Sequence, residues 1–316
     1  MIGKNLIAIC CCHSKKDSLM IKIFVTGGSG FIGRNLVEQW AGKYAVYAPP
    51  SSEVNLLDSD VVRDYIVKNR FDVVIHAATW DATRNSGKDL SKVLDHNMRM
   101  FFNVARCNGY FGKMLYYGSG AEYDRAHWKP HMKEEYFDVH VPGDDYGFSK
   151  YVMAKYAGRS DNIYNLRLFG VFGKYEDWEV RFISNACCKA AWDLPITLKQ
   201  NVYFDYLHID DLLTITGWFV EHKPEEKIYN ICTGRTVDLL TLARMVVAAS
   251  GKTLDIVVER NGLGTEYSGD NGRLAGEIED LAFGEIGECI DALYKWYAAR
   301  REELPLERLL QEKWRW

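Results

Sequence analysis

The first half of the chain alternates between short apolar runs and segments with helical periodicity. Residues 21–26 (IKIFVT) form an apolar run rich in β-branched side chains, and large apolar residues then recur at helical spacing at Ile32, Leu36, Val37 and Trp40. Further strands are predicted at residues 44–47, 72–76 and 113–117, and helices at residues 60–68 and 92–109. Strands this apolar, separated by helices, predict a parallel sheet covered on both faces.

The pattern changes after Ser119. A polar, irregular stretch runs to Asp145, and the alternation beyond Gly173 is weaker. Helices are predicted at residues 146–158, 177–191, 211–220 and 239–250, and extended segments at residues 163–169, 203–207 and 254–258. The glycine-rich residues 262–276 predict a mobile surface loop, and residues 281–316 predict one or two amphipathic helices packed on a second lobe.

Composition and charge restrict the classes of function. With 316 residues and 47% apolar content, the chain is large enough to form two lobes with a sizeable core. The formal net charge is -4 and both signs are interspersed, which disfavours nucleic acid and anionic membrane surfaces as partners. No apolar run in the sequence reaches the length of a transmembrane helix.

The amino terminus and the cysteines add no chemistry of their own. Residues 6–12 are apolar but short, and we interpret residues 1–19 as an extension before an alternative start at Met20, where the first predicted strand follows. The eight cysteines lack CxxC spacing, and the tract CCCH at residues 10–13 cannot direct every side chain at one ion. We therefore predict no metal site and reduced thiols in a cytoplasmic protein.

A glycine-rich turn follows the first predicted strand. Residues 26–33 read TGGSGFIG, in which the glycines have GxxGxxG spacing. Gly27 permits a tight turn, Gly30 lets the backbone approach a pyrophosphate, and Gly33 lets the helix pack closely on the strand. The helix N-terminus supplies N–H donors to the phosphates. The predicted pyrophosphate site comprises Gly27, Gly30, Phe31, Ile32 and Gly33.

The glycine turn and the alternation together predict an α/β protein with a Rossmann-type doubly wound parallel sheet. We assign residues 20–173 to this dinucleotide-binding domain and residues 174–316 mainly to a smaller C-terminal α/β lobe that binds the substrate. Because such a cofactor is intracellular, a cytoplasmic location is expected.

The segment after the second predicted strand favours NADP(H). NAD sites usually have an acidic residue here that accepts hydrogen bonds from the ribose. Residues 49–52 read PPSS, and the first carboxylate is Glu53. The phosphate of NADP(H) can bond to the hydroxyls of Ser51 and Ser52, with Arg34 as a second partner unless it is an ordinary exposed helix arginine. NAD(H) remains the alternative.

A tyrosine and a lysine four residues apart indicate the chemistry. Tyr146 and Lys150 share one face of a predicted helix, and Ser119 follows a predicted strand. A phenol is a poor acid or base near neutral pH, but an adjacent ammonium and a positive nicotinamide ring favour the phenolate. Ser119 would polarise the carbonyl group being reduced. A chance pair of surface residues is the alternative, which the glycine turn disfavours.

These features resemble the extended short-chain dehydrogenase/reductases that modify nucleotide sugars, the NAD-dependent epimerase/dehydratases. The resemblance covers nearly the whole chain after Met20. Its motifs are TGGSGFIG (26–33), HAA (76–78), GSGAEY (118–123), YGFSK (146–150), LRLFGVFG (166–173), LHIDDLL (207–213) and YNICTG (229–234). The resemblance implies further cofactor contacts, at Asn97 near the nicotinamide, at Leu57 and Asp58 near the adenine, and at Ala77 and Ala78 along the ribose.

Positions at which this chain departs from the patterns of individual enzyme classes help to distinguish between the reactions of the family. The sugar 4,6-dehydratases place an acid and a base after the catalytic hydroxyl, where this chain has Gly120 and Ala121. The GDP-fucose synthases use a cysteine and a histidine to epimerise carbons beside the ketone, and the matching positions here are Ala121 and, approximately, Tyr175. The comparison disfavours dehydration and favours a plain reductase.

The resemblance therefore implies reduction of a nucleotide-diphosphate 4-keto-(6-deoxy)sugar, as in polysaccharide biosynthesis. Tyr146 would be the general acid, Ser119 the partner of the carbonyl oxygen, and Lys150 the group that tunes the phenol and holds the nicotinamide ribose. A 4-epimerase that holds NAD tightly uses the same triad. A relative that has lost catalysis is a third alternative, although such a protein has no need of the triad.

The substrate side is predicted from the same resemblance. Expected contacts are Thr79, Gly120, Ala121 and Arg181. Relatives commonly have a diphosphate-binding arginine where this chain has Phe204, so Arg181, Lys189 or Lys199 would have to replace it, although each is also explained as a solvated surface charge. Relatives often dimerise through a bundle that includes the YxxxK helix, and a homodimer is expected here.

Overall fold

The computed structural model of the protein describes residues 20–80 and 89–311, so the proposed extension 1–19 and its CCCH tract lie outside the described residues. The helices and strands are β1 (Lys22–Thr26), α1 (Phe31–Gln39), β2 (Ala45–Tyr47), α2 (Ser59–Asn69), β3 (Val73–His76), α3 (Val93–Ala105), β4 (Lys113–Ser119), α4 (Asp145–Ala157), β5 (Ile163–Leu168), β6 (Gly170–Phe172), α5 (Phe182–Ala191), β7 (Ile196–Asn201), β8 (Tyr203–Phe204), β9 (Tyr206–His208), α6 (Ile209–Glu221), β10 (Ile228–Ile231), β11 (Val237–Asp238), α7 (Leu239–Ser250), β12 (Ile256–Leu263), α8 (Gly272–Glu277), α9 (Ile286–Ala298) and α10 (Leu306–Leu309).

Six strands form one sheet in the order β10-β5-β4-β3-β1-β2, and every pairing in it is parallel. The strand order reverses beside β1, which pairs with β2 on one side and with β3 on the other. In such sheets the loops after the two strands at the reversal separate and leave a crevice at the carboxyl edge. The predicted doubly wound Rossmann-type fold is confirmed.

Helices cover both faces of this sheet, as the apolar strands predict. Successive side chains of a strand point to opposite faces, so Ile23 and Val25 contact α1 and α6, whereas Phe24 packs with α2 and α3 on the other face. All four residues of β3 and all six of β5 are buried. The continuous apolar runs thus reflect burial on both faces rather than a strand with one wet side.

The second lobe packs three helices around a separate core. Helices α5, α7 and α9 bury their apolar faces together, and β7 and β12 form a small parallel sheet beside them. The amphipathic tail is confirmed in α9, which buries Ile290, Leu293 and Tyr297. The chain crosses back to the large sheet after residue 173. Helix α6 packs on that sheet and β10 pairs with β5 in it.

The prediction of a mobile surface loop at residues 262–276 is wrong. Strand β12 extends to Leu263, Tyr267 and Ser268 are buried, and α8 occupies residues 272–277. The Tyr267 amide donates to the Tyr203 carbonyl at 3.0 Å, and the Tyr267 carbonyl accepts from Asp205 at 3.1 Å. Gly269 is needed for contact rather than mobility, since a Cβ atom there would lie 2.5 Å from the Phe169 ring.

Two smaller predictions can be compared with the structure. The helix predicted from residue 177 begins only at Phe182, with Arg181 as its N-cap residue. Buried thiols are confirmed for Cys107, Cys187, Cys188 and Cys232, while Cys289 is half-buried. Among the described residues, the helices are all too short or too polar to cross a membrane.

Candidate active site

The glycine turn forms a cradle between β1 and α1. Gly27 has a φ of 71°, which favours glycine, and a Cβ atom there would lie 2.8 Å from the Cα atom of Ala78. The Gly30 amide donates to the Gly27 carbonyl at 3.0 Å, and a Cβ atom on Gly33 would lie 2.2 Å from that same oxygen. Because Gly30 caps α1 without a side chain, the first N–H groups of the helix face the turn, which fits a pyrophosphate.

Substitution of Gly33 by alanine is expected to weaken NADPH binding by about fivefold or more. The added methyl group must displace the Gly27 carbonyl, and overpacking of this kind costs ~1–3 kcal/mol, where ~1.4 kcal/mol is a factor of ten in affinity. Titration of NADPH fluorescence measures the change. Gly287→Ala is the matched control, since a Cβ atom there meets nothing within 4 Å. Equal affinities for the wild type and Gly33→Ala would contradict the assignment of the turn.

The loop after β3 lies opposite the glycine turn and is fixed by hydrogen bonds. The Ala78 amide donates to the Thr26 hydroxyl at 3.2 Å, which joins the ends of β1 and β3. The buried Asn97 side chain accepts from the Trp80 amide at 2.7 Å and from the Thr79 hydroxyl at 3.2 Å. Asn97 therefore shapes the loop that carries Ala77, Ala78 and Thr79; contact of these residues with cofactor or substrate stays a prediction.

The residues predicted to bind the adenosine end lie at the other side of the crevice. Ser51 and Ser52 occupy an exposed turn after β2, where their hydroxyls are accessible. Asp58 caps α2 by accepting from the amides of Asp60 and Val61, and the neighbouring Leu57 carbonyl accepts from Arg99 at 3.0 Å. Asp58 thus has a structural role besides the predicted contact with the adenine.

Arg34, on α1, is oriented by two side chains of the protein itself. Its guanidinium lies 3.6 Å from the centroid of the Tyr175 ring and 3.4 Å from the Glu38 carboxylate, which also accepts from the Tyr175 hydroxyl at 2.8 Å. These contacts support the structural interpretation of Arg34 over a phosphate contact. They also hold the Tyr175 side chain against the surface of α1. Tyr175 is the residue that matches, approximately, a proton-carrying histidine in some relatives.

Ser119 ends β4 at the carboxyl edge of the sheet. Its hydroxyl accepts from the Ala121 amide at 3.2 Å, and its own amide donates to Glu122 at 2.9 Å. This reciprocal capping box closes the short helical turn Gly120–Glu122 and fixes the serine. The Ser119 hydroxyl also interacts with the side chain of Tyr267, where it opposes the rise in the pKa of that phenol.

Lys150 is buried behind the crevice, one turn of α4 from Tyr146. Its Nζ atom donates to the Tyr117 carbonyl at 3.0 Å and lies 5.8 Å from the centroid of the Tyr146 ring. Burial lowers the pKa of Lys150 to about 8, and the negative charge of Glu122 opposes this shift. The structure thus brings the predicted lysine and tyrosine together on α4, beside β4, the strand that ends at Ser119.

Tyr267 is a site residue that sequence reasoning missed. It packs against Trp128 at a ring-centroid distance of 4.3 Å and against Phe169 at 5.2 Å, which brings its hydroxyl to Ser119. Burial raises the pKa of Tyr267, and the positive charges of Arg125 and Arg181 oppose the shift. Two arginines therefore lie near the end of β4 that carries Ser119, which we call the reacting edge. Of the two, only Arg181 was predicted as a site residue.

Tyr267 also explains why Gly120 has no side chain. A Cβ atom on Gly120 would lie 2.4 Å from the Tyr267 hydroxyl oxygen. An acidic side chain at this position, as the dehydratases place after the catalytic hydroxyl, would collide with the phenol. Ala121 is buried as well, so neither predicted substrate contact offers a functional group of its own.

Of the three cations considered for the diphosphate, Lys189 is ruled out. It is buried on α5, and its Nζ atom donates to the Thr197 hydroxyl at 2.6 Å. Lys199 is half-buried on β7 in the small sheet of the second lobe. Arg181 is exposed at the start of α5, and its positive charge acts on Tyr267. Of the three cations, it is therefore the one we place near the reacting edge.

Comparison with known proteins agrees with this arrangement. Residues 23–232 match the NAD dependent epimerase/dehydratase family. An ADP-L-glycero-D-manno-heptose-6-epimerase of Brachyspira hyodysenteriae is 26% identical over 259 residues, which cover 70% of this chain and 79% of that protein. A GDP-6-deoxy-D-mannose reductase of Pseudomonas aeruginosa is 23% identical over 264 residues, which cover 75% of this chain and 82% of that protein.

The fold is also found in a solved structure. A GDP-mannoheptose C4 reductase from Campylobacter jejuni, determined with NADP bound, superposes with a TM-score of 0.75 and 19% sequence identity. The superposition covers 88% of this chain and 98% of that chain, so it includes the second lobe as well as the sheet.

Proposed function

Because the chain belongs to the NAD dependent epimerase/dehydratase family, we propose that it is an NAD(P)H-dependent reductase of a nucleotide-diphosphate 4-keto-(6-deoxy)sugar. The observation that carries this proposal is the placement of Tyr146 and Lys150 beside the end of β4, where Ser119 is fixed by its capping box. The glycine cradle opens at the same edge of the sheet.

Each member of the triad has a distinct task. A dinucleotide held on the glycine cradle would supply the hydride for the carbonyl carbon. Ser119 donates a hydrogen bond to the carbonyl oxygen, and Tyr146 delivers the proton that converts this oxygen to a hydroxyl. The buried ammonium of Lys150 favours the phenolate that remains and holds the nicotinamide ribose, after which solvent returns the proton to Tyr146.

Two observations favour simple reduction over other reactions of the family. Gly120 lies under the Tyr267 hydroxyl, which leaves no space for the acid that a dehydratase needs. Tyr175 is turned onto α1, so the position matched to a proton-carrying histidine contributes nothing to the crevice. Two of the proteins named above are reductases of GDP-sugars, which supports a nucleotide-diphosphate sugar as the substrate.

NADP(H) is the favoured cofactor. No acid lies among the five residues directly after β2, and the hydroxyls of the exposed Ser51 and Ser52 can bind a phosphate there. The structurally similar heptose reductase was determined with NADP bound. We further propose a cytoplasmic homodimer that uses the outer face of α4, where Phe148 and Tyr156 are partly exposed.

The test is consumption of NADPH at 340 nm with a panel of nucleotide-diphosphate 4-keto-6-deoxysugars. Turnover is expected with at least one member of the panel, and more slowly with NADH than with NADPH. NADPH binding is measured separately by fluorescence. Bound NADPH without turnover of any sugar would overturn the reductase proposal and favour a relative without catalysis.

A nucleotide-sugar 4-epimerase is the second candidate, because the same triad serves it and one relative is a sugar epimerase. Such an enzyme removes and returns the same hydride and holds NAD tightly, whereas a reductase exchanges its cofactor in every cycle. Absorbance and enzymatic assay of nucleotide released from purified, denatured protein distinguish the two. Stoichiometric NAD(H) would favour the epimerase, and a fraction well below one would favour the reductase.

A further inference from the structure

The chain enters the second lobe across α1, the helix that begins at the glycine cradle. Residues 173–176, which follow β6 and lead toward α5, lie on α1, and we call them the crossing segment. The Asn35 side chain on α1 donates to the Lys174 carbonyl at 2.9 Å. Two residues later, the buried Glu176 carboxylate accepts from the Ser184 hydroxyl of α5 at 2.6 Å. The crossing segment is therefore tied to the cradle helix on one side and to the second lobe on the other.

Tyr175, within the crossing segment, contacts both parts of the molecule. Its hydroxyl donates to the Glu38 carboxylate at 2.8 Å, and the Arg34 guanidinium lies 3.6 Å from the centroid of its ring. The Trp296 ring of α9 packs against it at a centroid distance of 5.3 Å and an interplanar angle of 89°. Trp296 in turn packs against the core of the second lobe. The Tyr175 side chain thus connects α1 with α9.

The backbone of Tyr175 is strained. Its φ is 70°, in the left-handed region that bulky residues rarely adopt, and such a conformation persists only where the surrounding contacts enforce it. Its partners on α1 are Arg34 and Glu38, whose side chains are 53% and 47% exposed. Contacts with exposed charges are individually weak. The conformation of Tyr175 therefore depends on all of its partners together and is sensitive to motion of α1.

The partners of Tyr175 belong to the helix on which a dinucleotide would bind. Arg34 directly follows Gly33, and its amide donates to the Gly30 carbonyl at 2.8 Å, so it lies in the first turn of α1. A pyrophosphate bonded to the first N–H groups of α1 would restrict the motion of that turn. The contact between Arg34 and Tyr175 would become more ordered as a result.

We propose that Tyr175 is a positioning residue that couples cofactor binding on α1 to the local stability of the second lobe. The proposal rests on the proposed function, since it requires a dinucleotide on the glycine cradle. When the first turn of α1 is fixed, Arg34 and Glu38 hold Tyr175, and Tyr175 holds Trp296 on α9. The second lobe is thus more ordered when the cofactor is present, before any sugar binds.

The test is amide hydrogen exchange followed by mass spectrometry, with and without NADPH, in the wild type and in Tyr175→Leu. Fluorescence titration ensures that NADPH saturates each protein. In the wild type, NADPH should slow exchange about threefold or more in both α1 and α9. In Tyr175→Leu the slowing should persist in α1 and fall below about 1.5-fold in α9. A purely structural role of Tyr175 would speed exchange in α9 with and without NADPH and leave their ratio unchanged.

Tyr110→Leu is the matched control. The Tyr110 ring is also half exposed and lies 5.1 Å from an arginine guanidinium, that of Arg70, but it belongs to the turn before β4 and not to the crossing segment. Its replacement should leave the slowing of α9 by NADPH as in the wild type. If Tyr175→Leu is not folded, Glu38→Ala takes its place, because it removes the acceptor of the Tyr175 hydroxyl from a half-exposed position on α1.

Equal slowing of α9 by NADPH in the wild type and in Tyr175→Leu, or in Glu38→Ala where that variant replaces it, would overturn the proposal. Absence of any slowing of α9 in the wild type would do the same. The measurement needs no sugar, so failure of the reductase assay leaves it intact. A wild-type protein that binds no NADPH would refute the proposed function, and the coupling with it.

Discussion

Substitution of Tyr146 by phenylalanine is expected to lower kcat by about 10²–10⁴-fold and to leave NADPH affinity nearly unchanged. The hydroxyl is the group we assign to proton delivery, and it acts only as the carbonyl oxygen gains charge, so kcat and kcat/KM should fall together. The measurement is steady-state oxidation of NADPH with whichever 4-keto sugar the wild type reduces, combined with a fluorescence titration of NADPH in the absence of sugar.

Tyr151→Phe is the control for this variant. Tyr151 lies on the same helix, and its hydroxyl donates to Asp138 on the protein surface rather than toward Lys150. Its replacement should leave kcat within about threefold of the wild type, because it removes only a hydroxyl that bonds away from the site. Equal losses in the two variants would show that α4 is merely perturbed, and full activity in Tyr146→Phe would remove Tyr146 from the mechanism.

Substitution of Arg167 by methionine is expected to lower the free energy of unfolding by about 3–5 kcal/mol, the usual effect of removing one partner of a buried ion pair. Glu122 would be left as an uncompensated anion with no exposed surface, and the Tyr123 hydroxyl and Asn230 would lose a donor. Denaturant unfolding followed by tryptophan fluorescence and by circular dichroism measures the change, and agreement of the two probes tests for a single transition.

Arg63→Met provides the comparison. Arg63 forms ion pairs with Asp60 and Asp64 on the surface of α2, where all three side chains are more than half exposed. Its loss should change the free energy of unfolding by less than about 1 kcal/mol. The double variant Glu122→Gln/Arg167→Met should recover part of the stability lost in Arg167→Met, because no buried charge then lacks a partner. A single variant as stable as Arg63→Met would refute the stabilising role of the pair.

The features that could be predicted from sequence are those encoded by neighbours along the chain. The apolar runs of β1, β3 and β4 predict the parallel sheet because strands buried on both faces need continuous apolar residues. The glycine spacing predicts the cradle, since Gly27 and Gly33 must approach other backbone atoms. Helical geometry places Tyr146 and Lys150 on one face of α4.

The sequence also contains a local signal for Glu122, which is absent from the site residues predicted above. Ser119 and Glu122 have the spacing of a capping box, in which a serine and a glutamate three residues later bond reciprocally across a turn. This pattern indicates that Glu122 points back at the Ser119 amide. It contains no information about Arg167, which reaches the same carboxylate from β5.

The sequence by itself therefore determined the Rossmann-type sheet, the glycine cradle and the candidate triad, because turns, periodicity and helix faces depend on residues only a few positions apart. Only the tertiary structure decided that Tyr267 contacts Ser119, that Lys189 is buried and that Arg167 neutralises Glu122. The prediction of a mobile loop at residues 262–276 was wrong because it relied on glycine content, and glycine suits both a mobile loop and a tightly packed one. Which of the two forms depends on distant partners, here Phe169 and Tyr203.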